Sequence, residues 1–166
     1  MIRKGILNIE INRILSSLGH GQLLLVCDAG FPIPINADYV DLSLTKGIPS
    51  LNTVLKAIND VFITEKLIFA EEVLKNNLPL YNDLKNIFPE VEFETIPHER
   101  ILSVYSNAVK SIIRTGDYNP WGNIILQSGT DPYAWFENKE LTMTDFYKKR
   151  IEKIEKAGKR DMFYKG

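Results

Sequence analysis

Two histidines and one aspartate stand out as residues able to do chemistry. His20 is flanked by Gly19 and Gly21, so the backbone there can turn sharply. Asp28 directly follows the apolar run Leu23 to Cys27, and His98 lies one residue past the run Val91 to Ile96. Imidazole is the side chain whose ordinary pKa, roughly 6.5, lets it take and give protons near neutrality. A histidine pair with a carboxylate therefore suits general acid–base work. The same three residues also suit a two-His, one-carboxylate metal set, although their spacing follows no known ligand motif. Read singly, each is equally a polar loop residue.

Other groups are weaker candidates. Cys27 ends a wholly apolar run, where burial would raise its pKa and keep it inert, so it reads as core. Trp121-Gly122-Asn123 precedes a final apolar run. An indole face can stack on the apolar side of a sugar ring, and an asparagine offers both donor and acceptor to hydroxyls. The alternative is a core Trp and a turn Asn. Gly19-His20-Gly21 lacks the features of a phosphate loop, and no serine sits in a GxSxG elbow.

The elements that must position these groups alternate in type. Ile11, Ile14, Leu15 and Leu18 have helical spacing with Gly19 as a stop. Leu23 to Cys27 reads as a buried strand and Tyr39 to Leu44 as a second, with Pro32 and Pro34 keeping the link irregular. Ser50 caps a helix with stripe Leu51, Val54, Leu55, Ile58 and Phe62. Leu67 to Ala70 predicts a strand, Pro79 opens a helix that Pro89 closes, and Val91 to Ile96 predicts another strand. Ile101, Leu102, Tyr105, Ala108, Val109 and Ile112 predict one long helix over 99–114, ended by Gly116. Ile124 to Leu126 is the last strand. This alternation is that of a single α/β domain.

Composition sets the class. The 166 residues are 45% apolar and 25% charged, with a formal net charge of −1, which argues against a nucleic-acid partner. One cysteine excludes an internal disulfide framework or a CxxC site. No apolar run approaches ~18 residues, so no membrane span is expected. Glu10 and Arg13 interrupt any leader-like stretch near the N-terminus, and a cytoplasmic location is the expectation.

Several motifs in order resemble the D-ribose pyranase and fucose mutarotase family: Lys4-Gly5 with Leu7-Asn8, Gly19-His20-Gly21, Val26 through Pro34, Leu44 through Ser50, His98-Glu99-Arg100, Ile113 through Gly116, and Gly122 through Leu126. The resemblance covers residues 1 to about 130, and Val26 through Pro34 with His98 is closer to the pyranase branch. It implies a central mixed β-sheet flanked by helices, and interconversion of cyclic monosaccharide forms without metal or cofactor. By position it implies His20 as the acid–base residue, with Asp28, His98, Trp121, Gly122 and Asn123 holding the sugar. It also implies a ring-like homo-oligomer with the site between subunits. Trp121 departs from the family's usual Tyr. A non-catalytic monosaccharide-binding accessory protein of sugar uptake is the competing reading, and a metal-dependent lyase or isomerase a third.

Residues 131–166 lie beyond the resemblance. Tyr133, Trp135 and Phe136 form an aromatic cluster, and Thr142 to Asp145 resembles a capping box opening a last helix. Phe146, Tyr147, Arg150, Ile151 and Ile154 share a helical face. From Glu140 to Gly166 there are eight basic and five acidic residues. The segment is expected to form an ordered helical extension, packed on the body or a neighbouring subunit, with Trp135 away from the sugar and no chemical part in catalysis.

Overall fold

The computed structural model describes residues 3–163. The first two residues of the 1–130 body and the last three of the extension lie outside that range.

Helix α1 (Ile9–Ser17) starts where the Asn8 side chain accepts from the Glu10 and Ile11 N–H groups, and it buries Ile11, Ile14 and Leu15. Strand β1 (Leu23–Cys27) follows, buried from Leu24 onward, as a central strand covered on both faces must be. Next come β2 (Tyr39–Asp41) and α2 (Leu51–Asn59), the latter capped by Ser50. The second half supplies β3 (Thr64–Ala70), the short α3 (Glu72–Asn76), α4 (Leu78–Ile87) with Pro79 in its first turn, and β4 (Glu92–Ile96). Each fully buried Leu or Ile side chain contributes roughly 1.5–3 kcal/mol of transfer free energy, which is what joins these helices to the sheet.

The long helix expected over 99–114 does not form. Helical backbone runs as α5 (His98–Arg100), a π-helical turn over Ile101–Tyr105, and α6 (Ser106–Ala108). Val109 is extended, and β5 (Ser111–Arg114) begins almost at once. Ile112 and Ile113 are both fully buried between β1 and β2. Adjacent apolar side chains on opposite faces suit a buried strand, and tertiary pairing overrides the helical spacing that Ile112 shares with Ala108. Similarly, β2 stops at Asp41 and α2 at Asn59, short of Leu44 and Phe62.

The strand β6 (Ile124–Ser128) completes a six-stranded sheet of order β2-β5-β1-β6-β3-β4. β2, β5 and β1 are mutually parallel, β3 and β4 are parallel, and β6 runs antiparallel to both β1 and β3. Five strands therefore share one direction and β6 alone opposes them. The sheet has two distinct poles. Asp28, His98 and the start of β6 lie at the carboxyl pole. His20, the start of β3 and the end of β6 lie at the amino pole.

The extension holds α7 (Pro132–Trp135) and α8 (Asp145–Lys156). Thr144, rather than Thr142, is the residue before α8, and its side chain makes no cap hydrogen bond. Arg150, Ile154 and Phe163 are buried. Tyr147 packs on both Trp135 and Phe136, joining α8 to α7.

Candidate active site

At the carboxyl pole, Asn123 is the organising residue. It is 2% exposed, and its Oδ1 accepts from the Asp28 N–H at 3.3 Å. Its Nδ2 then faces His98 Nε2 at 3.2 Å. An amide nitrogen only donates, so His98 Nε2 is the acceptor and Nδ1 carries the proton, available to a ligand. The Asp28 carboxylate accepts from the Gly30 N–H at 2.7 Å, which leaves further acceptor capacity. Burial pushes its carboxyl above the usual aspartate range, against the opposing pull of Gly30, Asn123 and His98. Asn123 thus joins a residue with spare acceptors, Asp28, to one with a spare donor, His98. A cleft of about 390 Å³ opens beside Asp28, walled by Gly30, Asp117, Tyr118 and Asn119, a size within the range of small-ligand sites.

Two carboxylates that sequence reasoning passed over build this pole. Glu72 receives the His98 N–H with both oxygens, at 3.2 and 3.4 Å, and so holds the turn between β4 and α5. Asp117 accepts from Leu51 N at 2.6 Å and Asn119 N at 2.9 Å, fixing the cleft wall to the start of α2. Neither residue carries a motif signal; only the fold brings them here.

Of the other expected ligand residues, Gly122 is required by the loop, since a Cβ there would meet Asn119 O at 2.7 Å. Trp121 adopts φ 58° and is partly buried against the core. Cys27 is buried, and burial together with the Asp28 charge drives its thiol well above the ordinary range, in keeping with a core role.

His20 is at the opposite pole. Its loop is pinned by Gly21 N to Ser128 O (2.8 Å) and Gly19 N to Gln22 Oε1 (2.8 Å), and Gly21 takes φ 79°, where a side chain would strain. The imidazole keeps 37% of its surface exposed, and Nε2 lies 3.1 Å from Glu65 Oε2. Trp135 meets the ring edge-on, with centroids 5.6 Å apart. The extension therefore reaches the candidate acid–base residue, contrary to the expectation that Trp135 stands apart. Its α8 also places Arg150 Nη1 3.3 Å from the same Glu65 oxygen.

β1 alone separates His20 from Asp28 by about 13 Å, at ~3.3 Å per residue. His20, Asp28 and His98 are thus not brought together within one chain. Among the described residues of one chain no group of three or more His, Cys, Asp or Glu side chains is placed to hold a metal.

The fold is thus a mixed-sheet α/β domain with a cluster of hydrogen-bonding groups at one pole and an exposed imidazole at the other. The model of the RbsD / FucU transport protein family matches residues 1–131, and the chain belongs to that family. It is 48% identical over 150 residues to D-ribose pyranase 2 of Rubrobacter xylanophilus, covering 90% of this chain and 97% of the relative. It is 40% identical to D-ribose pyranase 1 of Streptomyces griseus, covering 91% and 100%. Both matches continue past residue 131 into the extension. Bacillus subtilis RbsD complexed with D-ribose superposes with a TM-score of 0.74 at 35% identity, over 78% of this chain and 98% of that one. The fold is also that of the fucose mutarotase of Streptococcus pneumoniae, with a TM-score of 0.62 at 16% identity, over 74% and 93% of the two chains.

Proposed function

We propose that this chain is an isomerase that interconverts cyclic forms of a ribose-like monosaccharide by acid–base ring opening at a site shared between two copies. The observation that carries the shared site is the separation of the two poles. One sugar ring cannot touch His20 and the Asp28–His98–Asn123 cluster of a single chain. In a closed homo-oligomer the carboxyl pole of one copy can face the amino pole of the next.

The chemistry requires only protons to move. His20 takes the proton of the anomeric hydroxyl, the bond from the anomeric carbon to the ring oxygen breaks, and the imidazolium so formed returns the proton to that oxygen. The open-chain aldehyde recloses on another hydroxyl, or on the same one from the other face. A positioned histidine supplies ~10²- to 10⁴-fold acceleration. Asp28 accepting and His98 Nδ1–H donating hold the hydroxyls, and positioning adds an entropic share. D-ribose is the favoured sugar, on the names of the relatives that match nearly their whole length. The same names support turnover over a purely accessory sugar-binding role. No helix of the described residues is long and apolar enough to cross a membrane. We place the protein in the cytoplasm, where free intracellular sugar would be its substrate.

Magnetisation exchange by NMR on a panel of monosaccharides, with catalytic amounts of protein, tests the reading. Exchange between ribose ring forms faster than in buffer is expected. Ligand-induced shifts without exchange for any sugar would instead establish a binding protein.

A further inference from the structure

We propose that Arg150, on the C-terminal helix, is a positioning residue for His20 and acts through Glu65. The inference rests on the assignment of His20 as the proton-transfer group. Glu65 sits where the β3–β6 register slips from Thr64 opposite Ser128 to Lys66 opposite Gln127, so it is the bulged residue. Bulges re-aim side chains, and this one turns a carboxylate toward His20. A single oxygen, Glu65 Oε2, meets His20 Nε2 at 3.1 Å and Arg150 Nη1 at 3.3 Å. Arg150 Nη1 also donates to Thr130 O at 2.7 Å, which ties it to the end of β6.

The surroundings are shaped for this pairing. Lys148, Lys149, Lys153 and Lys156 of α8 all stay in solvent, and only Arg150 among that helix's cations is buried. A Cβ at Gly129 would lie 2.8 Å from both Arg150 Nη2 and the Glu65 Cβ, so a glycine there leaves the room the pair occupies. Burying a guanidinium is costly unless a partner compensates it, and here the compensating charge is the one that touches His20. Trp135 covers one edge of the imidazole. Beyond Glu65, the charges acting on Arg150 are those of Asp131, Glu90 and, when ionised, Tyr147.

The consequence is chemical. A carboxylate only accepts, so Glu65 fixes the proton on Nε2 and leaves the Nδ1 lone pair for the sugar. Arg150 draws on the same oxygen, so the Glu65 carboxylate is shared between guanidinium and imidazole and is held in place against the ring. The imidazole is thereby oriented with its Nδ1 edge free for proton transfer. Residue 150 lies beyond the 1–131 span of the family model, so this is a device added by the extension.

The test is an NMR titration of the full chain without sugar. It has only two histidines, and His98 at the other pole serves as an internal control. Arg150→Met should raise the His20 midpoint, and Glu65→Gln should lower it, each by about half a pH unit, as expected for charge changes at a partly exposed site. His98 should not move, and Arg150→Lys should restore most of the wild-type value. A merely structural role would move His20 the same way in both variants, and that result, or no movement, overturns the proposal. Should Arg150→Met release α8, Arg150→Gln decides in its place: its amide keeps a donor for Thr130 O while the charge is lost, and the His20 midpoint should rise likewise. Opposite shifts in a protein that exchanges no sugar would remove the proposed function and leave the relay standing. Sugar exchange with an unmoved His20 would do the reverse.

Discussion

Replacing Asn123 by alanine should separate the carboxyl pole into its parts. The substitution deletes the hydrogen bonds to the Asp28 N–H and to His98 Nε2, both made by a side chain that is itself 2% exposed. Each bond contributes about 1 kcal/mol net, and an orphaned buried N–H costs about 1–3 kcal/mol, so a loss of about 2–4 kcal/mol is expected. For a chain of this length that corresponds to a Tm lower by roughly 5–12 °C. Sugar affinity should fall about tenfold, or ~1.4 kcal/mol, since His98 loses the group that sets its tautomer. Asn123→Asp isolates that tautomer: a carboxylate still accepts from Asp28 but cannot donate to Nε2, so the His98 proton should move from Nδ1 to Nε2. Thermal melts, sugar titration by NMR and ¹⁵N shifts of His98 measure all three. An Asn123→Ala protein that melts within a degree of wild type and binds sugar equally well would refute the assignment.

Three further outcomes are expected. His20→Ala should abolish catalysed ring exchange while keeping the fold and sugar binding, and wild-type exchange rates in that variant would remove His20 from the mechanism. Burial raises the folded-state pKa of Asp28 above its unfolded value, so its contribution to stability is present below the unfolded value and is lost as pH rises through the folded one; Asp28→Asn should therefore match wild type in acid and gain Tm relative to it as pH rises, whereas a gain confined to acid would reverse the sign. In a Trp121→Phe protein, Trp135 emission should follow the His20 titration seen by NMR, because a cation forms beside its ring; emission that stays flat through the His20 midpoint would contradict the contact.

How much of this was legible beforehand depends on whether the signal is local. β1 and α2 follow from an uninterrupted apolar run and from a Ser50 cap with a stripe at helical spacing. β5 was hidden because Ile112 continues the spacing of Tyr105 and Ala108, and nothing local announces the extended Val109. His20, Asp28, His98 and Asn123 were recognisable as polar residues at element ends. Their division between two poles was not, because it depends on how β6 runs against β1, which is a tertiary fact. Arg150 was placed on the docking face of the last helix but without its partner, and Glu65, Glu72 and Asp117 were invisible for another reason. In a chain that is one quarter charged, residue type alone does not separate a bulged or buried carboxylate from a solvated one.

Subunit complementation tests the shared site most directly. His20→Ala and Asp28→Ala proteins, each assayed alone, should show no catalysed exchange of ribose ring forms. Unfolded together at equal amounts and refolded, they should form mixed assemblies. An intact site then needs His20 from one copy and Asp28 from the next, which random mixing supplies at about one interface in four. The account predicts recovery of about a quarter of wild-type activity. Mixed assemblies that stay inactive would show that both residues act within one chain, and would contradict it.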